Sequence, residues 1–184
     1  MFFEVEMRRL VVVEPRELGD ALHTKRAMIR RLIQDVDAEQ CSEQHGYYVT
    51  VTTLEDVSEG KVRGGTGSVV FWVDFKCIVL RLIRNEVMEA EVAEVMYNGF
   101  LAACGPAKIF VPRKQMDGFE FRAGPSLEFN QWSDSNGLLI TPKCFVRLKI
   151  VAVRWEPKGR ILQTVGSLNG DLLGPVKIQK NPAL

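Results

Sequence analysis

The chain reads as an α+β protein made of two small β-rich units in tandem, a sheet crossed by one helix and then a barrel of strands. Three observations carry this reading. Helical spacing of apolar residues occurs in one stretch, at Leu22, Ile29, Leu32, Ile33 and Val36, with Lys25, Arg26, Arg30 and Arg31 on the opposite face. A glycine-rich turn (Gly60, Gly64, Gly65, Gly67) feeds a long β-branched and aromatic run, and a second strand pattern opens at Glu86 with almost no linker. Past that point, hairpin and turn signals follow one another without a helical period. The boundary is placed between residues 80 and 81, giving units of 1–80 and 81–184.

Each element has its own justification. Phe3, Val5 and Met7 alternate with polar residues and lead into Leu10-Val-Val-Val13, an opening strand. Pro15 and Gly19 break it before the helix. Gln44-His45-Gly46 turns the chain into a strand over 47–53, rich in β-branched and aromatic residues. Residues 54–67 read as a projecting loop, and 68–84 return as a long strand. In the second unit, strands are expected at 86–95, 100–104 and 108–111, separated by the turn signals Asn98-Gly99 and Gly105-Pro106. Residues 112–116 suit a short helical turn. Residues 117–143 read as a long loop with a minor strand at 138–141, because Gly118, Gly124, Pro125, Gly137 and Pro142 interrupt them. The best alternation of the chain spans 144–155, and Pro157-Lys-Gly159 turns it back into a last strand at 161–167. Five strands, with a long connection between the third and fourth, match an OB-type barrel, whose closure removes exposed edges.

Composition excludes several functions. With 46% hydrophobic and 26% charged residues the 184-residue chain is that of an ordered protein. Its apolar runs, such as 69–73 and 78–80, are strand-length and far short of the ~18 residues that span a bilayer. The opening residues lack the basic and apolar regions of a secretory signal, which places the protein inside the cell. Cys41, Cys77, Cys104 and Cys144 are scattered without metal-ligand spacing and read as buried or semi-buried free thiols. Charge is uneven: −3 over residues 1–80, −1 over 81–144 and +5 over 145–184, so the last strands suit a phosphate-bearing partner or a solvated sheet face. No catalytic set emerges. Neither His23 nor His45 neighbours a plausible Ser or Cys nucleophile, and alternation sends Glu89 and Glu91 to one face and Glu86 and Glu94 to the other. No metal or cofactor is called for. The glycine turn precedes a strand rather than a helix, so it is no phosphate-cradling loop.

Several motifs, in order along the chain, resemble one family. They are Pro15-Arg16-x-x-Gly19, Val51-Thr52-Thr53, Gly65-x-Gly67, Val73-x-Phe75-Lys76-x-Ile78-Val79-x-Arg81 with Glu86-Val87, Gly99-Phe100, Gly105-Pro106, Phe110-Val111-x-Arg113, Val146 to Val151, and Gly166-Ser167-Leu168-x-x-Asp171-x-Leu173-Gly174. This pattern is similar to the larger stalk subunit of RNA polymerase II, its seventh-largest chain, and to the related E-prime chain of archaeal polymerases. The closing Gly-Ser-Leu-x-x-Asp looks like the polymerase II version. Departures are Asn98 before Gly99, Lys143-Cys144 in place of an acidic pair, and a tail over residues 175–184.

The resemblance implies a non-catalytic nuclear subunit with an RNP-like tip domain (1–80) and an OB-fold RNA-binding domain (81–184). It implies three partners: a smaller helical stalk subunit, core polymerase, and single-stranded nascent RNA. No membrane is involved. Docking on core polymerase falls to the tip glycines Gly60, Gly64, Gly65 and Gly67, which spacing alone also explains as turn glycines. For RNA, Phe100 and Phe110 are candidates to stack, or else to fill the barrel core. Lys108, Arg113 and Lys114 beside them, with Arg147 and Lys149, are candidates to meet phosphate. Lys108 and Phe110 share a strand face. Two other readings stay open, a paralogous stalk subunit of another nuclear polymerase and a free-standing OB-fold RNA-binding protein.

Overall fold

The computed structural model describes residues 1–126, 129–135 and 137–176; residues 177–184 of the tail lie outside the described residues. The chain divides into two units, Met1–Arg81 and Leu82–Leu184.

The first unit contains β1 (Phe2–Val13), α1 (Ala21–Glu39), β2 (Cys41–Ser42), β3 (Gly46–Val57), β4 (Lys61–Val62) and β5 (Val69–Leu80). The sheet runs β1-β5-β3-β2, and β4 pairs with the start of β5. The long apolar run becomes the central strand because both its edges are paired. β1 matches it without interruption from Phe2 opposite Leu80 to Val13 opposite Val69. Asp20 caps α1, its side chain accepting the His23 N–H at 2.8 Å. Ala27, Met28, Leu32 and Val36 then bury against Val11, Val13, Val73, Phe75, Cys77 and Val79. The open sheet face carries an ionic ladder: Lys76 bridges Glu55 (3.1 Å) and Glu6 (3.8 Å), and Arg8 meets Asp74 at 3.2 Å.

The projecting loop expected over 54–67 is shorter than that, because β3 continues to Val57 and β4 follows. Tyr48, Val51, Leu54 and Val57 all pack on the helix side at steps of three, and a register shift falls between each successive pair. Each bulge adds one residue and resets the alternation, so a strand acquires a non-strand period. That disguised the strand beyond Thr53.

The second unit contains β6 (Val87–Met96), β7 (Gly99–Cys104), β8 (Ala107–Pro112), β9 (Phe119–Arg122), β10 (Gln131–Asp134), β11 (Leu139–Ile140), β12 (Phe145–Glu156), β13 (Ile161–Ser167) and β14 (Gly174–Val176). Strands run β13-β8-β7-β6-β12, and β12 pairs again with β13, closing a five-stranded barrel. The β8–β13 pairing is parallel and the other barrel pairings are antiparallel, which is the OB topology. Val92, Phe100, Ile109, Val111, Val146, Leu148 and Ile150 fill the interior.

Two further expectations are corrected here. Residues 117–143 are not a loop with one minor strand: β9, β10 and β11 form a three-stranded sheet, and Trp132 and Ile140 from it are fully buried in the barrel cluster. Strands of two to four residues are too short to show a period against flanking glycines and prolines. The glutamate faces also differ. A bulge at Ala93, between the pairs Val92–Ala102 and Glu94–Leu101, turns Glu94 outward with Glu89 and Glu91.

Candidate nucleic-acid interface

The outer surface of β7 and β8 follows from strand alternation. Phe100 and Ala102 point inward from β7, and Ala107, Ile109 and Val111 from β8. Leu101 and Ala103 are left facing outward from β7, and Lys108 and Phe110 from β8, paired Leu101 to Phe110 and Ala103 to Lys108. Phe100 is therefore not a stacking residue: it is 0% exposed, opposite Val111 inside the barrel. Phe110 is half-buried on the outer face, where its ring edge leans over Gly99; a Cβ built there would sit 3.1 Å from Phe110 Cζ and 2.2 Å from the Val111 carbonyl oxygen. Glycine at 99 is what lets that ring lie down. Leu101, Lys108 and Phe110 line one side of a groove of about 350 Å³, closed on the other side by Leu162, Gln163 and Val165. The exposed Lys158 and Arg160 lie in the turn before β13.

Arg113 and Lys114 are exposed on the 3-10 turn that follows β8, which the Arg113 N–H anchors to the Asn98 carbonyl at 2.9 Å. The Arg113 guanidinium lies 5.8 Å from the ring centre of Tyr97, at the tip of the β6–β7 hairpin. Tyr97 is 67% exposed and is held edge-on by Phe121 at 5.6 Å. Phe121 in turn stands against the buried Trp132 at 5.4 Å, and Trp132 Nε1 donates to the Gly99 carbonyl at 3.4 Å. An aromatic column thus rises from core to surface and ends in an open ring beside a cation. The family motifs do not include Tyr97 or Phe121. The signal that could have found them was an aromatic residue immediately before the Asn-Gly turn.

Arg147 and Lys149 are not brought to this face. They project from β12, which the closed barrel sets two strands from β8 through β13, roughly 10 Å around the wall. Arg147 donates Nη2 and Nε to Glu89 Oε1 at 2.7 and 3.2 Å, so its charge is answered within its own ladder. Lys108, Arg113 and Lys114 form no salt bridge among the described residues.

The tip glycines divide as well. Gly64 and Gly65 meet nothing within 4 Å, and Gly65 and Gly67 take φ of +87° and +71° in the turn where Arg63 N–H bonds the Ser68 carbonyl at 2.8 Å. Gly60 has a packing role, since a Cβ there would strike the Phe71 ring and Val69 at 2.7 Å. Beside the turn, Leu10, Trp72 and the 72%-exposed Val62 border an apolar groove of about 400 Å³.

No catalytic constellation accompanies these surfaces. His45 does have a serine neighbour, Ser42, whose Oγ lies 3.5 Å from His45 Nδ1. That hydroxyl accepts the His45 backbone N–H at 3.1 Å, which closes the β2–β3 turn. No third group orients the ring among the described residues, and none of them form a cluster of three or more potential metal ligands. All four cysteines are free, and burial pushes the Cys77, Cys104 and Cys144 thiols up, away from the reactive thiolate. The single helix of the first unit is not apolar enough to cross a membrane.

No protein-family model matches the chain. It is 35% identical over 178 residues to DNA-directed RNA polymerase II subunit 7 of Arabidopsis thaliana, covering 96% of this chain and 97% of the relative. It is 34% identical to RNA polymerase II subunit RPB7 of Glycine max, with the same coverage. To subunit 7 of RNA polymerase V of Arabidopsis thaliana it is 31% identical, over 96% of this chain and 98% of that one. A likeness of this level from end to end, on an OB barrel preceded by a one-helix sheet, places the chain in the subunit 7 family of DNA-directed RNA polymerases, as a non-catalytic stalk subunit of the RNA polymerase II type.

Proposed function

We propose that this chain works in the nucleus as the larger half of the polymerase II stalk, paired with a smaller helical subunit, docked on the core enzyme, and guiding emerging RNA over its barrel. The observation that carries the RNA role is the outward face of β7 and β8, where Phe110 pairs with Leu101 and Lys108 with Ala103, next to Arg113, Lys114 and the open ring of Tyr97. Rings stack any base, and unpaired cations meet the backbone without reading sequence. Strands 2 and 3 of an OB barrel are the surface from which single strands are held. Docking on core polymerase falls to the open turn at Gly64, Gly65 and Gly67 and the apolar groove beside it. Gly60 makes room for Phe71 and Val69 at the start of β5.

Affinity purification of the tagged full chain, with mass spectrometry of what accompanies it, tests the assembly. Recovery of a small helical subunit with the largest polymerase II subunits is the expected result. Recovery of the chain alone would leave a free-standing RNA-binding protein. A second reading has a specific support in the 31% likeness to a polymerase V subunit. Recovery of another polymerase's largest subunit would replace polymerase II by a paralogue.

A further inference from the structure

The outer face of α1 carries a pattern that packing inside its own unit leaves unused. Leu22, Arg26, Ile29 and Ile33 follow one another at steps of four, three and four, and fall within an arc of about 60°. Ala27, Met28, Leu32 and Val36 face the sheet instead, so the expected division of α1 is corrected: Leu22, Ile29 and Ile33 lie off the core face and share the outer one with Arg26. Leu22 is 57% and Ile33 42% exposed, and Ile29 is half-buried. Steps of four and three are those of a helix–helix seam, with Leu22 and Ile29 at d, Arg26 and Ile33 at a. In that register Lys25 is a g residue and Arg30 an e residue, the two flanks from which charges choose a partner; the next g and d residues, Leu32 and Val36, turn into the core, so the seam runs from Leu22 to Ile33 and stops before the acidic e residue Asp37. Lys25, Arg26 and Arg30 are exposed and form no salt bridge among the described residues; Arg31 meets Asp35 at 3.7 Å.

We infer that this face of α1 docks an amphipathic helix of a partner protein, one whose aliphatic a and d stripe is bordered by carboxylates at e and g. Charge complementarity selects that occupant over a basic helix. The aliphatic stripe selects it over a nucleic acid, to whose phosphates Leu22 and Ile33 would contribute nothing. The inference rests on the α1 surface alone and is independent of whether the chain enters a polymerase.

The probe is a designed, fluorescein-labelled helix of about three heptads with Leu at a and d and Glu at e and g, and its twin with Lys at e and g. Anisotropy against the purified full chain should show binding of the Glu helix and none of the Lys helix. Lys25→Glu with Arg30→Glu should weaken the Glu helix by about tenfold or more and give binding to the Lys helix, a gain that misfolding cannot produce. Leu22→Ser with Ile33→Ser should also weaken the Glu helix by about tenfold, through lost apolar burial. Equal binding of the two helices, or binding of neither, overturns the inference. So does an unchanged affinity after Leu22→Ser/Ile33→Ser with full displacement of the Glu helix by oligouridine, which would mark a plain polyanion site.

Discussion

Replacing Lys108, Arg113 and Lys114 together by glutamate should flatten the salt dependence of RNA binding without unfolding the barrel. All three side chains are exposed, and they form no salt bridge among the described residues, so the folded state has little to lose. Surface changes of this kind stay within about 0.5 kcal/mol each. Each phosphate contact on a single strand releases about 0.7 of a counterion, so losing three lowers the slope of log K against log salt by about 2. Over a roughly fourfold rise in salt the ratio of wild-type to variant affinity should therefore shrink by about 16-fold. Fluorescence anisotropy with labelled oligouridine over a sodium chloride series reads this directly, and circular dichroism checks the fold. Arg147→Glu is the internal control. That side chain is spent on Glu89, so the slope should hardly change. If the triple variant keeps the wild-type slope while Arg147→Glu loses it, the RNA runs over β12 and the assignment to β7 and β8 is wrong.

Tyr97→Ala should cost about 1–3 kcal/mol of oligouridine binding and Tyr97→Phe almost none, because the ring and not the hydroxyl stacks; equal losses in titration would reject the platform. Phe100→Ala should lower barrel stability by about 3–5 kcal/mol in urea denaturation, as for any fully buried ring, and RNA affinity should fall only where the barrel itself unfolds. Gly65→Ala and Gly67→Ala, at φ of +87° and +71°, should each cost roughly 1–2 kcal/mol of local turn energy and weaken recovery with core polymerase. Unchanged recovery with an intact fold would remove this turn from docking. Three thiols are raised by burial, so their contribution to stability is complete below the ordinary thiol range near ~8.5 and declines as the pH climbs through it; a thermal midpoint unchanged across that window would refute the burial of these groups.

Much of this protein was legible as pattern. Only one stretch has helical spacing, and it became α1; the long β-branched and aromatic run, broken only by Asp74 and Lys76, became β5, paired on both edges. Alternation alone placed Lys108 and Phe110 on one face, because a strand's period of two needs no tertiary information. Motif order carried the family. What failed was everything set by an added residue or by long-range closure. The bulges along β3 converted a period of two into steps of three, and the bulge at Ala93 turned Glu94 outward. Phe100 and Phe110 look alike in the sequence, ten residues apart in one motif-rich stretch. Barrel closure through the parallel β8–β13 pair decides which ring is inside, and it sends Phe100 to the core. The column from Trp132 through Phe121 to Tyr97 joins residues distant along the chain, and only the small β9–β10–β11 sheet, packed on the barrel, brings them together. Local chemistry therefore chose the elements and their faces, while inside, outside and neighbourhood were settled by how the strands closed on one another.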